Sequence, residues 1–424
     1  RSTQSRSSAA SDVYKRQISR DSSRPEVFCA PGNAGTAMLA VNISISAEDI
    51  RGIVDWASMN KPDLVVVGPE VPLCEGLSDA LSQIGIRTFG PVKSAAMLEG
   101  SKVFSKEIMK AANVPTASSQ YFTDAKEAIE YVKKTGAPVV IKAEGLAAGK
   151  GVVVCQNIDE AIKAIKDMLD TRVFGAAGNR ILVEEYLEGE EASILAFIDG
   201  KKVQLLASSQ DHKRVYDEDK GPNTGGMGAY SPAPIVSDKM LSEIQEYIFE
   251  RTIAELKKRQ IVYKGILYAG LMIDKNSNFK VLEFNCRFGD PETQAILPRI
   301  DGDLLPVLFA CVNGELEKCK IAWKEDSCVS VVMASGGYPG KYEKGKVISG
   351  LEDVSAMKDV IVFHAGTALK DGKIVTSGGR VLNVTAIAPD IKTAVKKAYD
   401  AAGKIYFEGC YYRKDIAQKA IKYK

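Results

Sequence analysis

The sequence predicts a multidomain protein of α/β and α+β architecture, with an open parallel sheet at the N-terminal end and a small mixed domain at the C-terminal end. The run 64–67 is continuously apolar, as in a strand that is buried on both faces of a parallel sheet. Segments 266–274 and 279–285 have the pattern of two antiparallel strands joined by a turn. Beyond Trp323, short apolar runs alternate with glycine-rich turns, which is typical of a separate mixed domain.

Composition excludes several classes of protein. The 424 residues include 56 Lys and Arg against 54 Asp and Glu, which gives a net charge of +2. Balanced charge provides no general attraction to nucleic acid or to an anionic membrane, so we expect neither partner. The eight cysteines contain no Cys-x-x-Cys pair. We therefore expect free thiols and a cytoplasmic protein, present as a monomer or a weak homo-oligomer.

Four segments are expected along the chain. Residues 1–24 begin with a Ser/Arg-rich stretch that has no apolar signal-peptide core, and we interpret them as a non-native leader without a part in the fold. The other expected segments are an N-terminal α/β substrate domain at 25–100, whose first strand is predicted to be missing, a two-lobed central domain at 101–325 with a lid at about 115–190, and a C-terminal domain at 326–424.

In the N-terminal domain, strands and helices are expected to alternate. Gly68, Pro69 and Glu70 follow a buried strand, and open α/β sheets bind ligands at the carboxyl ends of their strands. The expected elements are an apolar run at 27–30, a Gly/Asn turn at 31–35, helices at 47–59 and 77–84, and strands at 64–67 and 88–90.

Capping residues set the first helices of the central domain. Ser101 is a typical N-cap for a helix that runs to Ala112, and Asp124 with Glu127 is a capping pair for a helix that Gly136 ends. The other expected elements of this domain are strands at 137–143, 152–155 and 181–187, helices at 159–169 and 239–260, and a hairpin that turns at 199–200. In the C-terminal domain, a closing helix is expected at 390–407.

The strongest candidate for chemistry is the segment 282–294. Residues two apart on a strand face the same side, so Glu283, Asn285 and Arg287 project together if the strand extends that far. Carboxylate and amide oxygens suit Mg²⁺, and an arginine can clamp a carboxylate or a phosphate with paired N–H donors. An exposed hairpin face with a salt bridge is the alternative from spacing alone.

A second candidate is the glycine-rich segment 139–154. Its glycines leave backbone N–H groups free to wrap a phosphate, and Lys142 and Lys150 add positive charge. It is not a Walker loop, because Gly151 replaces the Ser or Thr that should follow Gly-Lys. Because strands precede and follow the loop, we expect a hairpin lid. A simple hairpin turn is the alternative.

Two further segments are candidates for nucleotide and substrate binding. Around the strand end at 183–191, we expect an adenine slot, with an acid for the ribose hydroxyls; a solvated acidic turn is the alternative. The stretch 208–232 is predicted to be one long polar loop, and loops of this length are usually functional or disordered. Within it His212 is expected to be a hydrogen-bonding residue rather than a proton carrier.

Taken in order, these motifs resemble the ATP-grasp ligases and, within them, the family of phosphoribosylamine–glycine ligases, also called glycinamide ribonucleotide synthetases. The resemblance runs from about Pro25 to the C-terminus. The motifs are APGNAGT at 30–36, GPEVPL at 68–73, GSK at 100–102, IKAEGLAAGKGV at 141–152, SQDHKR at 209–214, GPNTGGMGAYSP at 221–232 and FNCRFGDPETQ at 284–294.

The resemblance implies an ATP-grasp fold and a ligase of purine biosynthesis that joins glycine to 5-phosphoribosylamine through glycyl phosphate, with ATP and Mg²⁺ or Mn²⁺. The implied catalytic residues are Arg287, Asp211 and Lys213, and the implied metal ligands are Glu283 and Asn285. The residues implied for ATP are Lys102, Lys142, Glu144, Gly145, Gly149, Lys150, Gly151, Glu184, Glu185, Leu187 and Glu190. Those implied for the other substrates are Asn33, Gly35, Thr36, Gly68, Glu70, Asn223, Gly225, Gly226 and Asp290.

One departure from the family keeps alternatives open. The family begins with a strand and a glycine-rich loop that ends in Arg-Glu-His, and nothing before Pro25 matches it. We therefore expect either poor solubility or weak affinity for phosphoribosylamine. The alternatives are another ATP-grasp carboxylate–amine ligase and a nucleotide-binding protein with impaired turnover. A nicotinamide-dependent oxidoreductase is disfavoured, because no Gly-x-Gly-x-x-Gly follows a strand.

Overall fold

The computed structural model of the chain describes residues 9–146, 151–173 and 175–423. Within these ranges no helix is long and apolar enough to cross a membrane. The elements of the N-terminal region are α1 (Ala9–Ser19), β1 (Phe28–Cys29), β2 (Val41–Asn42), α2 (Ile50–Asn60), β3 (Val65–Val66), α3 (Glu70–Glu75), α4 (Leu77–Gln83), β4 (Thr88–Phe89) and α5 (Lys93–Gly100).

The strands of this region are parallel, as the apolar run 64–67 predicts. β1 pairs with β2 and β3 pairs with β4, each in parallel register. They form two separate two-stranded sheets rather than one open sheet. The predicted helices at 47–59 and 77–84 are present as α2 and α4. The turn at Gly68 follows β3 and leads into α3, so Glu70 stands at the carboxyl end of a strand as expected.

Helix α1 corrects the expectation that the leader has no part in the fold. Val13 and Ile18 are buried in the same apolar cluster as Phe89, and the helix packs on residues 292–299 and on the strand at 360–364. The ring of Tyr14 stacks on Phe288 with 5.7 Å between centroids. The helix escapes prediction because charged residues, among them the fully buried Asp12, interrupt its apolar face.

The next elements form the small lobe. They are α6 (Lys102–Ala111), β5 (Ser119–Phe122), α7 (Ala125–Thr135), β6 (Val139–Ala143), β7 (Val152–Cys155), α8 (Ile158–Leu169) and β8 (Ile181–Glu185). The predicted caps are observed, since the Ser101 side chain accepts the Phe104 N–H and Asp124 accepts two N–H groups of α7. The sheet has the order β5-β8-β6-β7, and β6 and β7 form the predicted antiparallel hairpin.

The large lobe is built on a four-stranded antiparallel sheet. Residues 190–285 contain β9 (Glu190–Asp199), β10 (Val203–Leu205), β11 (Gln210–Asp211), β12 (Arg214–Tyr216), β13 (Lys220–Asn223), β14 (Gly228–Ser231), α9 (Asp238–Ile244), a π-helical stretch (Gln245–Glu250), α10 (Arg251–Lys258), β15 (Lys264–Ile273) and β16 (Phe279–Asn285). The sheet order is β10-β9-β15-β16. One continuous helical run from α9 to α10 packs on it, as the period of 239–260 predicts.

The C-terminal region completes the fold. Its elements are α11 (Glu292–Ile296), β17 (Ile300–Asp301), α12 (Leu305–Asn313), β18 (Ala322–Trp323), β19 (Ser327–Ala334), α13 (Leu351–Ser355), β20 (Val360–His364), β21 (Thr367–Lys370), β22 (Lys373–Thr376), β23 (Arg380–Ala388), α14 (Ile391–Ala402) and α15 (Gln418–Lys422).

The segment 208–232 is not the single long loop that we predict from its composition. It contains β11, β12, β13 and β14, and β14 pairs with β19 in the five-stranded sheet β11-β14-β19-β23-β20. The C-terminal sheet therefore includes strands that precede residue 325 in the chain. Each of these strands has only two to four residues, which is too short for an alternating pattern.

We expect Ile18→Ala to lower the free energy of unfolding by about 2–4 kcal/mol, because α1 buries this side chain in the core. Ile84→Ala is a matched control, since Ile84 is 41% exposed, and its cost should be about 1 kcal/mol or less. Urea denaturation of both variants measures the difference. Equal costs would show that α1 does not pack as described.

Candidate active site

Two lysines and one glutamate form a charged cluster in the small lobe, and one of the lysines also contacts the large lobe. Lys142 on β6 lies 2.8 Å from one carboxylate oxygen of Glu184 on β8, and Lys106 on α6 lies 3.3 Å from the other. The Lys142 ammonium also donates to the carbonyl of Leu282 on β16, at 3.1 Å. Burial lowers the pKa of Lys106 to about 8. Lys106 and Lys142 thus both contact the buried Glu184 carboxylate. Two neighbouring ammonium groups are suited to binding a polyanion.

Lys102 stands at the base of the predicted lid. Its ammonium donates to the Gly145 carbonyl at 3.1 Å, and Glu144 accepts from the Ser101 hydroxyl at 2.8 Å. Burial lowers the pKa of Lys102, and the carboxylate of Glu283 opposes that shift. At the far end of the hairpin, the Gly151 carbonyl accepts the Ala143 N–H at 2.8 Å. Gly149 and Lys150 lie outside the described residues.

The nucleotide edge predicted at 183–191 is only partly as expected. Glu185 is held by Lys280 and by the Ser118 hydroxyl, and Leu187 is half-buried just after β8. Glu190 does not face the cleft. Gly270 pairs with Ser193 on one side and with Glu283 on the other, so these three residues lie on the same face of the sheet. Because side chains alternate along a strand, Glu191 lies on this face with Ser193 and Glu190 lies on the opposite face.

Glu191 therefore takes the place that we assign to Glu190 from the sequence. Its carboxylate lies 3.0 Å from the Lys213 ammonium, which is itself 4.0 Å from Glu283. Glu190 instead accepts a hydrogen bond from the Tyr423 hydroxyl at 2.7 Å. The correction follows from strand alternation, which assigns the face of each residue only once the register is fixed.

Glu283 and Asn285 share one face of β16, as the spacing predicts. Burial would raise the pKa of Glu283, but Lys213 and Lys142 lower it below its ordinary value, so the carboxylate is ionised. Two oxygen donors of this type fit Mg²⁺ or Mn²⁺ bound together with phosphate oxygens. In the described part of the chain no group of three His, Cys, Asp or Glu could hold a metal.

Arg287 reaches the same place by another route. β16 ends at Asn285, so strand alternation does not direct Arg287. Its guanidinium lies 3.2 Å from Glu70 and 3.1 Å from Glu99, and it contacts the Asn285 side-chain oxygen at 3.4 Å. Sequence reasoning missed Glu99, which lies one residue before the end of α5 and carries no local sign of function.

A buried polar cluster adjoins these groups. The Tyr268 hydroxyl donates to Glu292 at 2.9 Å and also bonds the Ser193 hydroxyl. Burial raises the pKa of Asp211, and Lys213 opposes that shift. Burial alone would lower the pKa of Lys213, but Glu191 and Asp211 raise it well above the ordinary value. Asp211 and Lys213 are thus brought together, and Glu292 is a further acid that the sequence did not indicate.

The prediction for His212 is wrong for its side chain. Both ring nitrogens are buried and have no hydrogen-bond partner among the described residues. Burial lowers the pKa of His212 to about 4, so the ring is neutral. The backbone of His212, by contrast, forms hydrogen bonds with Gly228, the first residue of β14, and with Met227, which precedes that strand.

The predicted substrate residues near the N-terminus have intramolecular partners. The Asn33 side chain accepts the Thr36 N–H at 2.8 Å and donates to the His364 carbonyl at 2.8 Å. A side chain at Gly35 would meet the His364 ring at 2.6 Å. This loop packs against the C-terminal sheet, and only its outer surface can face a ligand.

The C-terminal region also reaches the predicted substrate loops. Arg380 lies 3.2 Å from the Asp290 carboxylate and donates to the Asp290 carbonyl at 2.7 Å. It also bonds the backbone of Gly225 and Gly226, while Asn223 is half-buried at the end of β13. Arg380 thus clamps two loops that come from different parts of the sequence, a contact that no local pattern predicts.

The match of an ATP-grasp domain model to residues 100–293 places this architecture in the ATP-grasp class, and solved structures share the fold. The biotin carboxylase domain of the 2-oxoglutarate carboxylase of Hydrogenobacter thermophilus has a TM-score of 0.73 at 17% identity, covering 96% of this chain and 90% of that chain. The biotin carboxylase of Campylobacter jejuni also has a TM-score of 0.73, at 16% identity, covering 96% and 91%. Such low identities establish the fold alone. The predicted ATP-grasp fold is confirmed.

The particular family follows from closer matches. Family models for the N, ATP-grasp (A) and C domains of phosphoribosylglycinamide synthetase match residues 9–99, 100–293 and 328–419. The chain belongs to this family. It is 49% identical over 407 residues to the phosphoribosylamine–glycine ligase of Pseudomonas aeruginosa, covering 96% of this chain and 94% of that one.

Two further relatives agree. The phosphoribosylamine–glycine ligase of Escherichia coli is 50% identical over 399 residues, which covers 93% of each chain. The crystal structure of the phosphoribosylamine–glycine ligase of Thermotoga maritima has a TM-score of 0.83 at 33% identity, covering 97% of this chain and 98% of that chain. The family predicted from the motifs is confirmed.

Gly226→Ala should lower ligase activity by about ten-fold or more, because a Cβ there would lie 2.3 Å from the Pro291 ring and would displace the clamped loops. Gly226 has φ +105° and Gly372 has φ +72°, but nothing lies within 4 Å of a Cβ at Gly372, so Gly372→Ala controls for backbone strain. Steady-state rates of both variants measure the effect. Equal losses would contradict a role for this contact.

Proposed function

We propose that the cleft joins glycine to 5-phosphoribosylamine with ATP, and that glycyl phosphate is the intermediate. The chain is a carbon–nitrogen ligase of the phosphoribosylglycinamide synthetase family, which makes glycinamide ribonucleotide for purine biosynthesis. The observation that carries the proposal is the convergence of the buried lysines with Glu283, Asn285 and Arg287 in one cleft. The identity of about half over nearly the whole chain supports it.

Chemistry requires two steps. A carboxylate is a poor acyl donor, so a glycine carboxylate oxygen first bonds to the γ-phosphorus of ATP while the bond to the β–γ bridging oxygen breaks and ADP forms. The amine nitrogen of phosphoribosylamine then bonds to the glycyl carbonyl carbon, phosphate leaves and the nitrogen loses a proton. Positioning and charge neutralisation dominate phosphoryl transfer of this kind.

For ATP, we propose that Lys102 and Lys142 hold the phosphates, with the lid that begins at Gly145. Glu184, Glu185 and Leu187 line the adenosine, and Glu191, in place of Glu190, accepts from the ribose hydroxyls. Glu283 and Asn285 would hold Mg²⁺ or Mn²⁺, which neutralises charge on the phosphate oxygens when it is bound. The lid also keeps out water, which would hydrolyse an acyl phosphate.

For the other substrates, we propose that Arg287 binds the glycine carboxylate or the transferring phosphate through paired N–H donors. Asp211 accepts the proton of the attacking amine. Burial raises the pKa of this carboxyl, which makes it a stronger base than an exposed one. Lys213 neutralises the anions beside it. The segments at 33–36, 68–70 and 223–226, with Asp290, surround phosphoribosylamine.

The eight cysteines support a reducing compartment, and we propose the cytoplasm. All eight are free thiols. Structural disulfides persist mainly in oxidising compartments, whereas free thiols are the rule in the cytosol. A monomer or a weak homo-oligomer remains our prediction for the assembly.

The decisive experiment is ADP release measured with glycine and phosphoribosylamine present together and separately. We expect ADP release only when both are present. We expect Glu283→Gln to lower the rate of release by on the order of a hundred-fold, because the carboxylate that would hold the metal beside the phosphates is lost. Glu315→Gln, in an exposed ion pair with Lys318, is the control. ATP binding without any release would favour the nucleotide-binding alternative, and release with another amine would favour a different ligase.

A further inference from the structure

The guanidinium of Arg287 has protein partners on all three nitrogens. Nε faces the Glu70 carboxylate at 3.2 Å, and Nη1 donates to the Phe288 carbonyl at 3.2 Å. Nη2 lies 3.1 Å from Glu99 Oε1 and 3.4 Å from the Asn285 side-chain oxygen. These contacts fix the plane of the guanidinium and direct it toward the strand end that carries Glu283 and Asn285.

The two carboxylates on Arg287 are not equivalent. The Glu70 side chain is 31% exposed, whereas that of Glu99 is 7% exposed, so water competes far less for Glu99. Glu99 is therefore the principal electrostatic partner of the guanidinium.

Glu99 also binds the backbone from which Arg287 extends. Its second oxygen, Oε2, accepts the Cys286 N–H at 2.8 Å. One carboxylate thus holds both the peptide unit that joins Asn285 to Cys286 and the tip of the Arg287 side chain. Two residues after Glu99, Ser101 caps the helix that carries Lys102. The same short turn therefore positions both Arg287, through Glu99, and Lys102, through the Ser101 cap.

We propose that Glu99 is a positioning residue for catalysis, which holds the Arg287 guanidinium beside Asn285 so that the reacting carboxylate and phosphate meet fixed N–H donors. The proposal rests on the function proposed above. It does not require Glu99 to touch a substrate. Removing its charge should reduce turnover by disordering Arg287, while ATP binding, which depends on the lysines, should persist.

A double-mutant cycle tests this role. We expect Glu99→Gln to lower kcat by on the order of ten- to a hundred-fold, as small misplacements of a catalytic group do, with KM for ATP changed less than two-fold. Arg287→Lys should cost at least as much. The double variant should be no slower than Arg287→Lys alone, because the effect of Glu99 passes through the arginine.

Glu99→Gln keeps the length of the side chain and an oxygen for the Cys286 N–H, and Glu70 still pairs with Arg287. Should that variant fail to fold in a thermal scan, the same cycle is run with Glu99→Asp, which keeps the charge but shortens the side chain. Glu255→Gln is the matched control, because Glu255 is a mostly buried acid whose ion pairs are with Arg259 at 3.0 Å and Lys258 at 3.6 Å rather than with the site residues, and its kcat should be unchanged.

Three results would overturn the proposal: unchanged kcat in the Glu99 variant, a loss confined to KM for ATP, or additive losses in the double variant. The outcome for the proposed function is separate. A wild-type protein without glycine-dependent ADP release would overturn that function, whereas an active wild type with additive losses would overturn only the role of Glu99.

Discussion

The contacts of Lys142 are the interaction on which the cleft depends. One ammonium binds Glu184 within the small lobe and the Leu282 carbonyl of the large lobe, so it spans the boundary where we propose that the nucleotide binds. An unpaired buried charge is expensive, and removing one partner of a buried pair costs several kcal/mol, ~3–5 in typical cases. The ion pair with Glu184 therefore keeps the Lys142 ammonium charged, and its hydrogen bond to Leu282 joins the two lobes.

Charge balance at close range explains the rest of the site. Lys213 lies between Glu191 and Glu283, and Arg287 lies between Glu70 and Glu99. Because each cation has a carboxylate beside it, the protein binds highly charged substrates with a net charge of only +2. Salt also screens these partly buried ion pairs less than it would screen a general basic surface.

Sequence reasoning succeeded where one element determines the answer. Strand period alone placed Glu283 and Asn285 on one face, and the flanking strands alone predicted the hairpin at 139–155. It failed where register or distance decides. Alternation alone does not say which face of a strand is which, so the sequence selects Glu190 where Glu191 lies on the face of Glu283. Glu99 and Arg380 contact partners that are 188 and 90 residues away in the sequence. Helix α1 escaped because buried charges break its apolar pattern.

The central claim is that phosphate passes from ATP to the carboxylate of glycine before the amide bond forms. Glycine labelled with oxygen-18 in its carboxylate tests it most directly, in a reaction with ATP and phosphoribosylamine followed by mass analysis of the inorganic phosphate. The account predicts that the phosphate released carries one labelled oxygen, because the bond between carbonyl carbon and oxygen breaks when the amine attacks. Unlabelled phosphate alongside labelled amide product would contradict it.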